Sequence, residues 1–276
     1  MTELYVAYCV LDSDGAITEE IAGLHACAVR NLPYGGIGVV TSASTRPIDD
    51  LVTGAVEHER VVERLMQMHT VLPMRFPTIF DSRQAALAMM ERHYSGFRDD
   101  LQRLHNQEEF GVRVIWPADL DFGFQISDRG FVSREESAIR LGDSSSPEAP
   151  GKLYMQERHR RHKHHQMLSE QAAQFGRKLD AALSEFASEK HLRSLATDRF
   201  VFDGVYLVNK NRQVGFRRAF VDAKSSEPGF RYLFSGPWPP YNFVTMPAEQ
   251  TTGSARRVVA VAAAECLGSV GGAAGT

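Results

Sequence analysis

GPWPPYNF, residues 236–243, carries three prolines in eight positions. Each proline fixes φ and removes a backbone donor, so the stretch is neither a helix interior nor a central strand. Gly236, Trp238 and Pro239 each precede a proline and are pushed toward extended geometry. The outcome is a stiff ribbon presenting Trp238, Tyr241 and Phe243. Burying one such aromatic removes roughly 150–250 Å² from water. A strip this stiff loses little entropy on docking, so it suits a clamp between two elements or a fixed apolar surface. It contains no nucleophile and no metal ligand.

Upstream of the ribbon, Phe230, Tyr232 and Phe234 alternate on one face of a strand. Arg212 to Lys224 reads as a helix with Val214, Phe220 and Val221 inward, and Phe200 to Val208 as a strand. A long helix is expected from about Lys152 to Leu195. Leu168, Ala172, Phe175, Leu179, Ala182 and Phe186 step by four and three along it, a short coiled-coil-like seam. The composition of Gly142 to Gly151 (GDSSSPEAPG) is that of a linker. Beyond Val244 the chain turns rich in Ala, Gly and Ser, which predicts a flexible tail over 245–276.

In the N-terminal half, Leu4 to Leu11 is a buried strand followed by the turn Asp12 to Gly15, and Gly35 to Ser42 is a strand with a glycine-rich entrance. Pro47, Asp49 and Asp50 announce a helix to about Met68, its apolar face built from Val52, Ala55, Val56, Val62, Leu65 and Met66. TVLPMRFPTIF, residues 70–80, is strand-like, but Pro73 and Pro77 confine it to an edge or a bulge. Asp81 with Gln84 resembles a capping box for a helix packed through Leu87, Met90, Tyr94, Phe97, Leu101 and Leu104. Val112 to Trp116 closes the unit as a strand. Strands and helices in this order suggest an α+β sandwich. The expected division is an N-terminal domain over 1–141, a linker over 142–151 and a C-terminal domain over 152–244.

Composition narrows the function. Of 276 residues, 43% are hydrophobic and 24% charged, and the net charge is −3, so the whole chain exerts no pull toward nucleic acid. Cys9, Cys27 and Cys266 are scattered, which argues against a disulfide scaffold or thiolate zinc site and fits a reducing cytosol. The start of the chain has no basic region before its apolar run, so a secretory signal is not expected. Val258 to Ala264 is too short to insert across a bilayer.

Candidate chemistry is sparse. Glu57-His58-Glu59 fails the zincin pattern because Val62 stands where the second histidine belongs. His58 and Glu59 read instead as a hydrogen-bonded pair on a helix face. Gly36 and Gly38 lack the third glycine of a dinucleotide fingerprint, Thr41 taking its place. An enzyme on this scaffold would have to converge His58, Glu59 and Arg75 in one pocket. The structural role for Arg75 is a pair with Glu57 or Glu59. The run ERHRRHKHH, residues 157–165, sets His159, His162 and His165 on one side of a helix. These three could take a divalent metal or an anionic surface, and their charge rises below about pH 6.5; the plain alternative is a solvated helix face.

Together, LYVAYCV at the N-terminus, a helix bearing EHERVVE followed by TVLPMRFPTIF, and a strand running into GPWPPYNFV resemble the gas vesicle protein F/L family over about Leu4 to Val244. The tail from Thr245 and the histidine run depart from that pattern. The resemblance implies a two-domain α+β fold. Its first part would be a modified ferredoxin-like sandwich, and its second would combine helices, coiled-coil-like, with a small antiparallel sheet. It implies a non-enzymatic, cofactor-free accessory protein of gas vesicle formation, cytoplasmic or at the vesicle surface. The partners implied are the hydrophobic major shell protein and other accessory proteins. The expected contact or structural motifs are Leu72, Pro73, Met74, Arg75, Phe76 and Phe80, with Gly236, Trp238, Tyr241 and Phe243. Of these, the ribbon is expected to lock the domains together, and the edge segment or the helices to meet the partner.

Overall fold

The structure, a computed structural model, describes residues 3–117 apart from 18 and 47, 150–195, and 200–245; side chains of 150–166, 194 and 195 lie outside the description. Strand β1 (Leu4–Leu11) is the centre of the first sheet, whose order is β2-β3-β1-β4. Its run from Val6 to Leu11 is buried on both faces, as an unbroken apolar run requires. β2 (Val29–Tyr34) and β3 (Ile37–Ser44) form an antiparallel hairpin across Gly35 and Gly36. Both glycines have positive φ, 59° and 88°, which is what a tight hairpin turn of this hand demands. The glycine-rich entrance is thus a turn, and β2 before it escaped the sequence reading because Pro33 and its polar neighbours break the apolar pattern.

β4 (Val71–Phe80) is an edge strand, the position its prolines dictate. It pairs with β1 at Ala7↔Thr78 and resumes at Cys9↔Pro73, so residues 74–77 leave the ladder as a bulge. Between β3 and β4 lies helix α1 (Leu51–Met66), capped by Asp50, whose carboxylate accepts from Val52 N at 2.9 Å and Thr53 N at 3.2 Å. Its buried stripe is Gly54, His58, Val61, Val62 and Leu65. The expected face is therefore rotated: Val52 is 76% and Val56 43% exposed. The cause is Gly54. A Cβ there would come within 2.7 Å of the Phe76 ring, so the bare backbone admits Phe76 and turns that side of the helix inward. Helix α2 (Arg83–Arg103) is capped by Ser82, not Asp81: the Ser82 hydroxyl accepts from Ala85 N at 3.1 Å. Ala86, Met89, Met90, Phe97 and Leu101 are buried. Tyr94 reaches the Gly35 carbonyl at 2.5 Å.

The second sheet has the order β6-β7-β5-β8, with β5 (Gln107–Ile115), β6 (Ala187–Leu195), β7 (Phe200–Asn209) and β8 (Arg231–Trp238). Helix α3 (Pro150–Ser184) stops eleven residues before the expected end, Leu195. After it the chain turns, Phe186 N bonding Leu183 O at 3.1 Å, and residues 187–195 pair antiparallel with β7. Local propensity does not oppose a helix there; the ladder to β7 decides it. Ala172, Phe175, Leu179 and Leu183 of the heptad seam pack inside this unit, against Phe202, Tyr206, Phe216 and Phe220. Helix α4 (Gln213–Ser226) buries Phe216 and Phe220, whereas Val214 (81% exposed) and Val221 (55%) point outward, correcting their expected placement. Aromatics outcompete valines for the core because each removes more surface from water. Phe230, Tyr232 and Phe234 do share the inward face of the last strand.

The chain divides into two compact units, Met1–Glu109 with the segment from Pro237, and Phe110–Gly236. The divisions fall inside β5 and β8, so the second unit is an insertion into the first. The linker expected at 142–151 lies mostly outside the described residues, as does the tail from 246.

Candidate functional site

The bulge of β4 and the helix beneath it form the first feature. Leu72, Met74 and Phe80 are at most 2% exposed and belong to the core, with Pro73 also buried. Arg75 alone of the motif is exposed. The Thr78 hydroxyl donates to the Arg75 carbonyl at 2.6 Å and pins the bulge. Half-buried Phe76 packs 5.5 Å from the His58 ring, which stacks at 5.2 Å on Tyr8. His58 Nε2 donates to the Ala7 carbonyl at 3.2 Å. Burial pushes its imidazole down to about 4, the bond to Ala7 opposing in part.

His58, Glu59 and Arg75 thus do not converge. One is sealed in the core at 2% exposure and another faces solvent. The pair expected between His58 and Glu59 is replaced by the bond to Ala7. Glu57 accepts from His25 N at 3.3 Å, and no ion pair of Arg75 occurs among the described residues. Pairing of a buried imidazole with a backbone carbonyl has no local sequence signal, so the helix-face reading was the natural one and is wrong.

The proline ribbon forms the second feature. Gly236 has φ 109°, a left-handed geometry that glycine tolerates, and Trp238 ends β8. Pro239 and Pro240 are buried, and Phe243 N bonds Pro240 O at 3.0 Å in a closing turn. Asn242 then gives Glu109 two bonds: N to Oε2 at 2.8 Å and Nδ2 to Oε1 at 2.5 Å. Arg103 donates to the Phe243 carbonyl at 2.5 Å and to Asp100 at 2.7 Å. Thr245 gives both its N–H and its hydroxyl to Asp100 Oδ2, each at 2.7 Å. Phe243 is 3% exposed. Burial, with Glu59, Cys9, Glu63 and Glu109 nearby, pushes the Tyr241 hydroxyl well up.

Sequence reasoning did not find Asp100, Arg103 and Glu109 as the ribbon's seat. A signal existed. Asp100 falls on the stripe Phe97, Leu101, Leu104, where a charge is out of place unless something binds it.

In the second unit, a groove of about 940 Å³ runs between α3 and α4, floored by Phe175, Leu179, Phe186, Ala219 and Phe230. Asp180 of α3 accepts from Tyr206 at 3.0 Å and Lys190 at 2.7 Å. Helix α3 continues through His159, His162 and His165, whose side chains lie outside the description. Among the described residues no three or more His, Cys, Asp or Glu side chains gather as metal ligands, and no helix is long and apolar enough to cross a membrane.

Residues 4–245 match the family described as gas vesicle synthesis protein GvpL/GvpF. Gas vesicle protein L1 of Halobacterium salinarum is 25% identical over 86% of this chain and 88% of its own length. Gas vesicle protein L of a Streptomyces species is 24% identical over 89% and 94%. The crystal structure of the gas vesicle protein GvpF from an Anabaena species superposes with a TM-score of 0.68 at 14% identity, covering 91% of this chain and all of that one. The GvpF structure from Microcystis aeruginosa gives 0.65 at 14% identity, covering 89% and all of that chain. These structures share the mixed α+β fold.

Proposed function

The chain belongs to the GvpL/GvpF family of gas vesicle synthesis proteins, and from that membership we propose that it is a non-enzymatic accessory protein. It binds the hydrophobic major shell protein, other accessory proteins, or both, while the gas vesicle wall is nucleated and assembled. The match over nearly the whole chain carries this reading. A protein that walls in gas exposes apolar surface before it assembles, and such surface needs a partner. In fold terms we read the first unit as a modified ferredoxin-like sandwich and the second as helices, one with a coiled-coil-like seam, on a small sheet. Its place is the cytoplasm or the vesicle surface.

The contact face we favour is narrower than the whole edge segment. Most of LPMRF is core, whereas Arg75 on the bulge and Val52 and Val56 on α1 are exposed. Phe76 joins the two elements by packing against Gly54 and His58. Val52 and Val56 thus offer an exposed apolar pair on α1 and Arg75 a cation on the edge strand, each suited to a helix or strand of an apolar shell subunit.

Capture of the major shell protein by full-length Val52→Asp/Val56→Asp and Arg75→Glu variants tests this face. Both carry their changes on exposed positions, so circular dichroism should show native folding. Capture should fall at least about tenfold for the valine pair, the loss expected when two apolar contacts become charged. Undiminished capture by both folded variants would sink the contact face. Absence of capture by the unmodified chain, with every accessory protein present, would sink the shell-binding reading.

A further inference from the structure

We infer that Asp100, Arg103 and Glu109 form a peptide-recognition seat for an Asn-aromatic-x-Thr segment presented by a turn, filled in cis by Asn242–Thr245 and open to exchange with the same segment of a second copy of this chain. The inference is independent of the shell-binding reading. Its basis is that the seat reads side chains as well as backbone. Glu109 accepts from the backbone N–H and the side-chain amide of Asn242, and Asp100 takes both the N–H and the hydroxyl of Thr245. An Asp in place of Asn242 would set carboxylate against carboxylate, and a Val in place of Thr245 would lose one donor. Arg103, held by Asp100, sets the register through the Phe243 carbonyl. Phe243 is the apolar anchor between the two polar readings.

Both carboxylates are nearly closed from water, Glu109 at 5% and Asp100 at 3% exposure. Charge-assisted bonds in so dry a place are strong, and an empty seat would leave two buried charges short of donors. Yet the segment that satisfies them is remote in sequence. Asn242 lies 133 residues from Glu109, and Thr245 lies 145 from Asp100. It is an intramolecular ligand on a tether, and the tether leaves β8 after Trp238 through Pro239 and Pro240. That short arm, the stretch after the last strand residue, is what would carry the segment out of its own seat and into another. A second copy offers the same ligand and the same seat, which is the condition for reciprocal exchange. In cis the tether supplies an effective concentration of the order of millimolar, so exchange shows when the cis contact is weakened.

Two full-length variants separate ligand from seat. Asn242→Ala keeps the seat and damages the ligand, while Glu109→Gln keeps the ligand and damages the seat. Circular dichroism establishes that each folds, and Thr245→Ala replaces Asn242→Ala if it does not. Anisotropy of a fluorescein-labelled WPPYNFVT peptide should show at least about tenfold tighter binding to Asn242→Ala than to the unmodified chain. The same peptide with Ala for Asn should not bind. Equal binding of the two peptides, or no gain over the unmodified chain, overturns the seat. Sedimentation of the two variants mixed at equal concentration should reveal a heterodimer that neither forms alone; a mixture that stays at the mass of the separate variants overturns the exchange. On the unmodified chain, millimolar peptide should speed hydrogen exchange at the Asn242 and Thr245 amides, and unchanged exchange also counts against the seat.

Discussion

His58 Nε2 donates a hydrogen bond to the Ala7 carbonyl at 3.2 Å, tying α1 to the central strand of the first sheet from inside the core. The ring carries its polar edge into a place where only a neutral imidazole is comfortable. Burial holds its pKa at about 4, below the 6.5 of an exposed histidine.

That depression sets a pH dependence. The unfolded chain binds a proton at His58 near pH 6.5 and the folded chain only near 4. Stability from the neutral ring is therefore complete above 6.5 and is lost as pH falls toward 4. The ceiling is on the order of 3 kcal/mol. Urea midpoints should decline over this window, and the decline should be shallower in His58→Gln. Equal slopes in the two proteins would mean that other groups cause it.

The seating of Phe243 is a packing contact as well as a recognition one. At 3% exposure, its truncation to Ala should cost about 3 kcal/mol. Val52→Ala, at a position 76% exposed, should change stability by less than about 0.5 kcal/mol. Chemical denaturation of both variants gives the comparison; similar losses would contradict the placement of the ribbon.

Two helix glycines should respond to Ala with opposite signs. A Cβ at Gly215 would meet the Phe186 ring at 2.3 Å, so Gly215→Ala overpacks that contact and should cost about 1–3 kcal/mol. Gly96 on α2 has nothing within 4 Å, and Gly96→Ala should stabilise by up to about 1 kcal/mol. Thermal midpoints moving in the same direction would refute this.

Asp180 accepts from Ser184 at 3.2 Å and from two further donors of unequal weight. Tyr206, at 0% exposure, gives it a hydroxyl at 3.0 Å; Lys190, with a half-open side chain, gives an ammonium at 2.7 Å. Asp180→Ala orphans the buried hydroxyl and should cost about 2 kcal/mol. Lys190→Ala should cost less than about 1 kcal/mol. A larger loss for the lysine variant would reverse this account.

How legible the chain was varied with the physics of each element. β1, β4, α2 and β7 could be read because each carries its own period or its own breakers, and Pro73 and Pro77 even placed β4 at an edge. Helix faces were harder. Val52 and Val56 look like core and Gly54 and His58 do not, until Phe76 arrives from β4 to occupy the space above Gly54. The length of α3 was misread for a related reason. Residues 187–195 suit helix or strand locally, and pairing with β7 settles the matter. The candidate motifs were found as segments, yet half of their residues are core and the others half-buried, with Arg75 the exposed exception.

By itself, the sequence determined the local vocabulary: strands where apolar runs are bounded by turns, helices where caps precede a period, and a stiff extended ribbon where prolines crowd. Those outcomes follow from φ limits and side-chain spacing over a few residues. The tertiary structure alone decided where the ribbon ends up. Its Asn242 and Thr245 meet Glu109 and Asp100 across more than 130 residues, after the chain has built a whole second unit. No local preference encodes such a meeting, because two buried carboxylates become tolerable only once the fold has brought their donors to them.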